Sequence, residues 1–310
     1  MYDLIVAGGG PAGLAAALYA ARKHLQVLLV SPDLGGRTNQ RLALPWVDEA
    51  DPAWNGVVRG LELSSGLRRE FEASGLPYEQ ALVEQVEAED GTFVVFAEGR
   101  PARRWEGRAV VVATGTRHLP LDVPGEREHR LRALSYSALS HAAFFSGRTS
   151  AVVGEGELAV RAAAELSALT GRVYLVCSQG EMLHLPLGKK LRLAPNVRVL
   201  EGFTPVEIQG DGQGYARCLV VKNAQGERQR LEVDGIFVER GLTPNSGLAG
   251  ALAQLDSAGR IRVDAMARTS WPGLFAAGDV TNLYAEQIPV AVGEGVKAAL
   301  SAFDYLLRTG

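Results

Sequence analysis

Apolar runs that end in glycine-rich turns recur along this chain. Residues 4–7 are all apolar, which is typical of a parallel strand buried on both faces. A turn with three glycines follows, then a helix of small residues at 14–21, and then a second apolar run at 26–30. The order strand, glycine turn, helix, strand predicts the first βαβ unit of a doubly wound α/β fold.

The same pattern begins again in the middle of the chain. Residues 149–153 are largely apolar, a G-x-G-x-x-A turn follows at Gly154, Gly156 and Ala159, and an alanine-rich helix precedes another apolar run at 172–176. This internal repeat predicts an α/β protein with two doubly wound, Rossmann-like domains of three layers (ββα). Because one such fold binds one dinucleotide, two suggest a flavin dinucleotide facing a nicotinamide dinucleotide.

Shorter patterns predict the elements between these repeats. Helical spacing of apolar residues predicts a helix over 61–74, and Pro289 suits the first turn of a long helix over 290–307. Residues 38–60, which include Trp54, predict a long irregular loop, and such loops are more often functional than filler. The other predicted strands are 82–87, 92–97, 103–105, 108–115, several between 197 and 239, 260–263, and the end of the run 271–279.

The first glycine turn has the residues that a dinucleotide site needs. Gly8 permits the tight turn, Gly10 lets the backbone approach a pyrophosphate, and Gly13 lets the helix pack close to the strand. The free N–H groups at the helix start, around Pro11 and Ala12, would face the phosphates, whose charge the helix dipole favours. The alternative is a glycine turn without a ligand.

Other candidate contacts lie at the carboxyl ends of predicted strands, where ligands of such sheets bind. Ser31 stands where many nucleotide sites have an acidic residue that holds the ribose hydroxyls. Asp279 could accept from a ribitol hydroxyl, and the start of the last helix would present its positive dipole to a reduced, anionic flavin. The remaining candidates are Gly35, Gly36, Val83, Ala113, Thr114, Gly115, Gly278, Gln287 and Ile288.

Composition and charge argue against several classes of protein. The 310 residues carry a net charge of −3, with no basic excess for nucleic acid. The two cysteines, Cys177 and Cys218, predict neither a disulfide framework nor a metal cluster, and we expect both to be core thiols. No apolar run reaches the roughly 20 residues of a membrane span, and no signal peptide is recognisable. We expect a cytoplasmic protein without a metal and without nucleic acid or membrane as a partner.

Taken in order, these motifs resemble those of the low-molecular-weight bacterial thioredoxin reductases, in class II of the pyridine nucleotide-disulfide oxidoreductases, over nearly the whole chain. The end of the chain also looks like that of the alkyl hydroperoxide reductase flavoprotein. The resemblance implies an FAD domain from residues 1–117 and 245–310, a nicotinamide domain from 118–244, a homodimer, and a rotation between domains. The motifs that carry it lie at 8–13, 35–36, 113–115, 154–159, 241–245, 278–279 and 287–295.

The chain departs from this family where the redox dithiol belongs. The family has a Cys-x-x-Cys followed by aspartate, whereas this chain has Ser137, Ser140 and His141. Dithiol exchange needs a thiolate of low pKa, which a serine hydroxyl does not provide. The resemblance therefore does not extend to thioredoxin reduction, and His141 is either a proton donor in the aspartate position or a packing residue.

The nicotinamide motif is altered as well. The family ends its second strand with His-Arg-Arg, whose arginines hold the 2′-phosphate of NADPH, and this chain has Cys177, Ser178 and Gln179 there. No acidic residue takes the place of the arginines to hold a 2′-hydroxyl, and Glu155 and Glu157 put negative charge in the phosphate turn. These changes predict a loss of NADPH selectivity or a loss of nicotinamide binding altogether.

The leading hypothesis is an FAD-dependent oxidoreductase that passes electrons from NADH or NADPH to an acceptor that is not a disulfide. A ferric chelate, a ferredoxin-like protein, a quinone and oxygen are the candidate acceptors. Arg37, in place of a usual glutamine, would favour the reduced flavin anion, unless it is simply solvated. The alternatives are a flavoprotein reduced by a protein donor, with a relic nicotinamide domain, and a non-catalytic FAD-binding regulatory protein.

Overall fold

The computed structural model describes residues 1–47, 59–89, 91–99, 101 and 103–309. The chain divides into two compact units. The described residues of the first unit fall within 1–40, 59–117 and 243–309, and those of the second within 41–47 and 118–242. Part of the predicted loop of residues 38–60, including Trp54, lies outside the described residues.

The described residues form the following elements. The strands are β1 Tyr2–Ala7, β2 Val27–Ser31, β3 Tyr78–Gln80, β4 Val83–Glu89, β5 Thr92–Ala97, β6 Arg103–Val112, β7 Thr116–His118, β8 Leu134–Ser135, β9 Thr149–Val153, β10 Arg172–Cys177, β11 Val197–Glu201, β12 Thr204–Gly210, β13 Ala216–Lys222, β14 Arg228–Glu232, β15 Gly235–Val238, β16 Leu242–Pro244 and β17 Leu274–Ala276. The α-helices are α1 Pro11–Arg22, α2 Arg59–Ser74, α3 Ala138–His141, α4 Gly156–Leu169, α5 Pro186–Leu193 and α6 Ile288–Thr309.

The first unit is built on a twisted sheet with the order β3-β2-β1-β6-β5-β4. Strand β17 pairs with the carboxyl half of β6, and β5 pairs with its amino half. The pairs β1–β2, β1–β6, β2–β3 and β6–β17 are parallel, whereas β4–β5 and β5–β6 are antiparallel. The parallel strands therefore bring the turns after β1, β2, β6 and β17 to one edge of the sheet.

Both faces of β1 are buried, which explains its uninterrupted apolar sequence. Leu4 and Val6 belong to a core cluster that also contains residues of α1 and α6, such as Leu14 and Ala302. Ile5 and Ala7 belong to a second cluster on the opposite face. The helices α1 and α6 approach closely, since a Cβ at Gly295 of α6 would lie 2.0 Å from the carbonyl oxygen of Ala12.

The second unit repeats this plan with a smaller sheet. Its parallel strands have the order β11-β10-β9-β15-β8, and β12, β13 and β14 form a separate antiparallel sheet. Helices α4 and α5 and the aromatic ring of Phe145 cover the parallel sheet. The short strands β7 and β16 pair with each other. The predicted fold class is confirmed: the fold is α/β with two Rossmann-type domains.

Several predicted elements differ from the observed ones. The predicted strands 103–105 and 108–115 meet in one continuous strand, β6, which ends at Val112, three residues earlier than predicted. The prediction of a strand at 260–263 is wrong, since Ile261 makes only isolated bridges there. Residues 41–47 belong with the second unit, where Ala43 donates its N–H to the carbonyl oxygen of Leu131 and accepts from the N–H of Ala133.

Phe145 is the packing centre of the second unit, and its removal provides a stability test. Its ring is fully buried and makes edge-to-face contacts with Trp46 and Phe237 at centroid distances of 5.4 and 4.9 Å. We expect Phe145→Ala to lower the free energy of unfolding by about 3–5 kcal/mol, because it leaves a cavity that the rings cannot fill. Urea unfolding would measure this, with Leu193→Ala, at an 84% exposed site, as the control. Equal effects of the two substitutions would contradict this role.

Candidate functional site

The turn after β1 holds α1 against the sheet and leaves the start of the helix open. A Cβ at Gly13 would lie 1.8 Å from the carbonyl oxygen of Gly8, and Gly8 itself has φ +112°. Gly10 is the N-cap of α1, with extended backbone and no side-chain cap, and a Cβ there would meet nothing within 4 Å. This helix start is therefore an uncapped, unobstructed end with a positive dipole, as a pyrophosphate needs.

Ser31 supports this turn from the neighbouring strand. Its Oγ accepts the N–H of Gly9 at 2.8 Å, and the residue is only 4% exposed. Gly35 donates its N–H to the carbonyl oxygen of Gly9 at 2.7 Å, and Gly36 donates to Oδ1 of Asp33. The structure thus assigns Ser31 a role in holding the glycine turn, and its predicted contact with a ribose hydroxyl stays a prediction.

Asp279 forms a second polar feature at this edge of the sheet. Its Oδ2 accepts from the guanidinium of Arg37, while Oδ1 is buried without a hydrogen-bond partner among the described residues. Burial raises the pKa of Asp279, and the charge of Arg37 opposes that rise. Arg37, predicted to lie near the flavin, is bound to this carboxylate. A buried acceptor that lacks a donor fits the predicted ribitol hydroxyl of FAD.

The segment after β6 is fixed by Asn245. Thr114 donates from Oγ1 to the carbonyl oxygen of Asn245 at 2.7 Å and accepts from its Nδ2 at 3.0 Å, and the N–H of Asn245 donates to Gly115 at 2.9 Å. The N–H of Ala113 donates to the carbonyl oxygen of Ala7 at 2.8 Å, which continues the hydrogen bonding between β6 and β1. These bonds hold the Ala-Thr-Gly backbone at the same edge as the first glycine turn.

The other candidates of the first unit occupy varied environments. Val83 is a buried member of the core cluster behind the sheet. Gln287 donates to the carbonyl oxygen of Glu286, and Ile288, the first residue of α6, would contact a Cβ at Gly60. A Cβ at Gly278 would lie 2.9 Å from that of Ala12, so the Gly278 turn lies close to α1. The open start of α1, the Gly278 turn beside it and Oδ1 of Asp279 together form a site in the first unit that fits FAD.

The second glycine turn contains a carboxylate with an unexpected orientation. A Cβ at Gly154 would lie 2.0 Å from the carbonyl oxygen of Glu239, and Gly156 has φ +73°, so both positions need glycine. Between them, Glu155 reaches the loop after β10. Its Oε1 accepts from the N–H and Oγ of Ser178 at 2.6 and 2.8 Å, and its Oε2 accepts from the N–H of Gln179 at 3.2 Å.

This orientation corrects one expectation from the sequence. The sequence places no acidic residue at the end of β10, but the carboxylate of Glu155 lies there because the turn after β9 and the loop after β10 are neighbours across the sheet. A small pocket lies beside it. Its lining includes Gly154, Gly156, Ala159, Cys177, Gln179 and Leu183.

The position at which the resembling reductases have their dithiol contains a serine pair in this chain. Ser137 caps α3 by accepting the N–H of Ser140 at 3.2 Å, and its Oγ lies 3.0 Å from that of Ser140. His141 ends this short helix and shares a hydrogen bond of 2.8 Å between Nδ1 and Oγ of Ser135. Burial lowers the pKa of His141 to about 4, so the imidazole is neutral near pH 7. A neutral, largely buried imidazole is poorly suited to the proton-donor role.

Both cysteines are buried and free. Burial, with the nearby carboxylates of Glu155 and Glu201, raises the pKa of Cys177 to about 11. Burial also raises the pKa of Cys218. Because the thiolate is the reactive form, both environments suit the core thiols that the sequence predicts.

Two buried carboxylates contact the residues on either side of Ser137, and their burial was not predicted from the sequence. Glu239 accepts the N–H of Ala138 at 2.6 Å and so supports the start of α3. Glu126 accepts from the N–H groups of Leu121 and Asp122 and from the hydroxyl of Tyr136 at 2.7–2.9 Å. The only sequence signal is that a glutamate directly follows the apolar strand β15.

The described residues contain no cluster of three or more His, Cys, Asp or Glu side chains that could bind a metal ion. Across the same part of the chain, the helices are too short or too polar to span a bilayer.

Comparison with known proteins defines the class. Residues 2–295 match the family described as pyridine nucleotide-disulphide oxidoreductase. The chain belongs to this family of flavoprotein oxidoreductases, whose members use FAD and NAD(P)H, as the sequence predicted.

Individual relatives carry different names. The chain is 35% identical to the F component of the alkyl hydroperoxide reductase of Pseudomonas putida, covering 99% of this chain and 59% of that protein. It is 31% identical to an NADH dehydrogenase of Bacillus subtilis, with the same coverage of 99% and 59%. The solved thioredoxin reductase of Streptococcus pyogenes matches with a TM-score of 0.85 and 30% identity over 99% of both chains. The chain thus spans about 59% of the length of these curated relatives.

The charge on Asp279 provides a test of the FAD site. We expect Asp279→Asn to weaken FAD binding about tenfold or more, because hydrogen bonds to a charged group contribute roughly 1.5–3 kcal/mol and the pair with Arg37 is lost as well. Fluorescence titration of the flavin-depleted protein with FAD measures the affinity. Asp3→Asn removes a similar pair, 3.3 Å from Arg108 at the other end of β1, and should leave the affinity unchanged. Unchanged binding by Asp279→Asn would contradict the assignment.

The buried imidazole of His141 predicts a stability that depends on pH. Its folded-state pKa of about 4 lies below the ordinary 6.5, so the unfolded chain binds its proton more tightly and stability falls as the pH drops from about 6.5 towards about 4. At about pH 5 the loss is about 2 kcal/mol. Urea unfolding at about pH 7 and about pH 5 should show a smaller acid-induced loss for His141→Gln than for the natural protein. The exposed control His184→Gln should retain the full loss.

Proposed function

We propose that this chain is an FAD-dependent oxidoreductase that takes electrons from NADH or NADPH and passes them to an acceptor that is not a disulfide. The serine pair, Ser137 and Ser140, carries this proposal. Where the resembling reductases have two cysteines, the two serine hydroxyls bond each other, and the Ser137 hydroxyl also accepts the backbone N–H of Ser140. A hydroxyl does not form a disulfide, so thioredoxin reduction at this position is not part of the proposed activity.

The two cysteines of the chain do not replace this pair. Cys177 ends β10 and Cys218 lies in β13, and both have raised pKa values that disfavour the thiolate. Without an internal dithiol, electrons would leave the protein from the flavin itself. A ferric chelate, a quinone, oxygen or a ferredoxin-like protein accepts electrons directly from a reduced flavin, and these remain the candidate acceptors.

The residues of the first unit would prepare the cofactor for this role. FAD, when bound, supplies the two-electron chemistry. The uncapped start of α1 would bind its pyrophosphate, and Oδ1 of Asp279 would accept a hydrogen bond from a ribitol hydroxyl. Arg37 holds Asp279 in place and keeps a positive charge at the same edge of the sheet.

The names of the relatives support parts of this proposal to different degrees. The relative from Bacillus subtilis is named an NADH dehydrogenase, which fits an activity without a disulfide substrate. The alkyl hydroperoxide reductase component and the thioredoxin reductase carry names that point to other acceptors. We also propose a homodimer, on the basis of the resemblance to the thioredoxin reductases.

An anaerobic titration tests the proposed electron path. We expect NADH or NADPH to bleach the flavin band near about 450 nm, because bound nicotinamide transfers two electrons to the oxidised cofactor. Ferric citrate, a benzoquinone, oxygen and a ferredoxin are then compared as oxidants of the reduced protein. A flavin that dithionite reduces but that neither nicotinamide reduces would refute this path.

A matched pair of variants tests the role of the serines. We expect the natural protein to reduce an aromatic disulfide reagent no faster than free FAD does, whereas Ser137→Cys with Ser140→Cys introduces a dithiol at the same helix start. A gain in disulfide reduction by that variant, with acceptor reduction by the natural protein retained, supports the proposal. Rapid disulfide reduction by the natural protein would contradict it. Single-cysteine variants serve as controls for nonspecific thiol reactivity.

A second candidate function follows from Glu155. If its carboxylate keeps nicotinamides out of the second unit, the flavin receives its electrons from a protein donor instead. The same titration separates the two candidates, because a reduced ferredoxin would then bleach a flavin that NADH and NADPH leave oxidised.

A further inference from the structure

The loop after β10 is the place where nucleotide-binding folds distinguish NADH from NADPH. In such folds an acidic residue at the end of the second strand binds the adenosine 2′-hydroxyl, or an arginine nearby binds the 2′-phosphate. Here the loop itself has Ser178 and Gln179, which supply neither group. The carboxylate that lies there comes from Glu155 in the glycine turn, 23 residues earlier than Ser178.

The carboxylate of Glu155 is held in place by hydrogen bonds and still has acceptor capacity. Three donors hold it, namely the N–H and hydroxyl of Ser178 on Oε1 and the N–H of Gln179 on Oε2. A carboxylate has about four acceptor positions, so Oε2 keeps a free lone pair. Because Glu155 is exposed, that lone pair is accessible to a hydroxyl donor.

The groups around the Glu155 carboxylate disfavour the binding of a phosphate group. Glu155 already uses the backbone N–H groups of Ser178 and Gln179 that would otherwise bind an anion. On the far side of the loop, Glu201 lies so close that a Cβ at Gly180 would meet its Oε1 at 1.9 Å. Arg192 forms an ion pair with Glu201, so the positive charge of Arg192 is already balanced. Burial raises the pKa of the Cys177 thiol, and the nearby carboxylates of Glu155 and Glu201 add to that rise while Arg192 opposes it.

We propose that Glu155 selects NADH over NADPH by accepting a hydrogen bond from the adenosine 2′-hydroxyl and repelling a 2′-phosphate. This inference rests on the proposed use of a nicotinamide donor. The acidic residue that selects the nucleotide thus comes from the glycine turn after β9. Ser178 and Gln179, which occupy the positions of the two arginines in the resembling family, hold its carboxylate. Glu157, which has no contact of this kind among the described hydrogen bonds, does not share the role.

Binding of nucleotide fragments tests the inference without any redox step. The probes are ADP-ribose and 2′-phospho-ADP-ribose, titrated calorimetrically into the purified, flavin-loaded protein. We expect the natural protein to bind ADP-ribose at least tenfold more tightly. Glu155→Gln keeps the size and an acceptor oxygen for Ser178 but removes the charge, so it should bring the two affinities to within about threefold. Glu157→Gln removes the same charge two residues along the turn and should leave the preference unchanged.

The outcomes separate this inference from the proposed function. Equal affinities in the natural protein, or a preference that survives Glu155→Gln, would overturn the role of Glu155. Binding of either probe only after Glu155→Gln would also overturn it, and would identify the residue as a plug. A clear preference for ADP-ribose together with a flavin that NADH does not reduce would support the inference and refute the proposed function. Thermal melting of both variants confirms that they are folded.

Discussion

The close approach of backbone to backbone at the glycine turns is the constraint on which both units depend. At Gly13 and again at Gly154, a single methyl group would lie about 2 Å from a carbonyl oxygen. At Gly13 the contact seats α1 against the turn that follows β1, and at Gly154 it holds the turn after β9 against the end of β15. Two further bonds support the first turn: the N–H of Gly9 donates to Oγ of Ser31, and the N–H of Gly35 donates to the carbonyl oxygen of Gly9.

The two carboxylates at these edges differ in what surrounds them. Asp279 is buried, with a guanidinium on one oxygen and no donor on the other among the described residues, so its local structure is complete only when a ligand hydroxyl is present. Glu155 is exposed and already holds three donors from one loop, so its local structure is complete without a ligand. This difference fits a first unit that keeps its cofactor bound and, under the proposal made above, a second unit that binds a nicotinamide reversibly.

The periodic elements of the fold were predictable because their signals are local. The apolar runs and glycine spacings around β1, β9 and α1 predict the βαβ units, and burial on both faces explains why the core of β1 is apolar throughout. The strand expected at 260–263 failed because alternation does not supply a pairing partner, and only Ile261 finds one. The orientation of Glu155 was not predictable, since which loop receives a side chain depends on the neighbours that the sheet order provides. The same holds for the burial that lowers the pKa of His141.

The assignment of residues 41–47 to the second unit has a consequence for how this architecture can be taken apart. Ala43 forms two backbone hydrogen bonds with Leu131 and Ala133, and the ring of Trp46 lies under the guanidinium of Arg148 at 3.8 Å. The second unit is therefore not a self-contained cassette that runs from residue 118 to residue 242. A fragment cut at those points would lose a segment that packs against it, and transfer of the second unit into another protein would have to include both parts of the sequence.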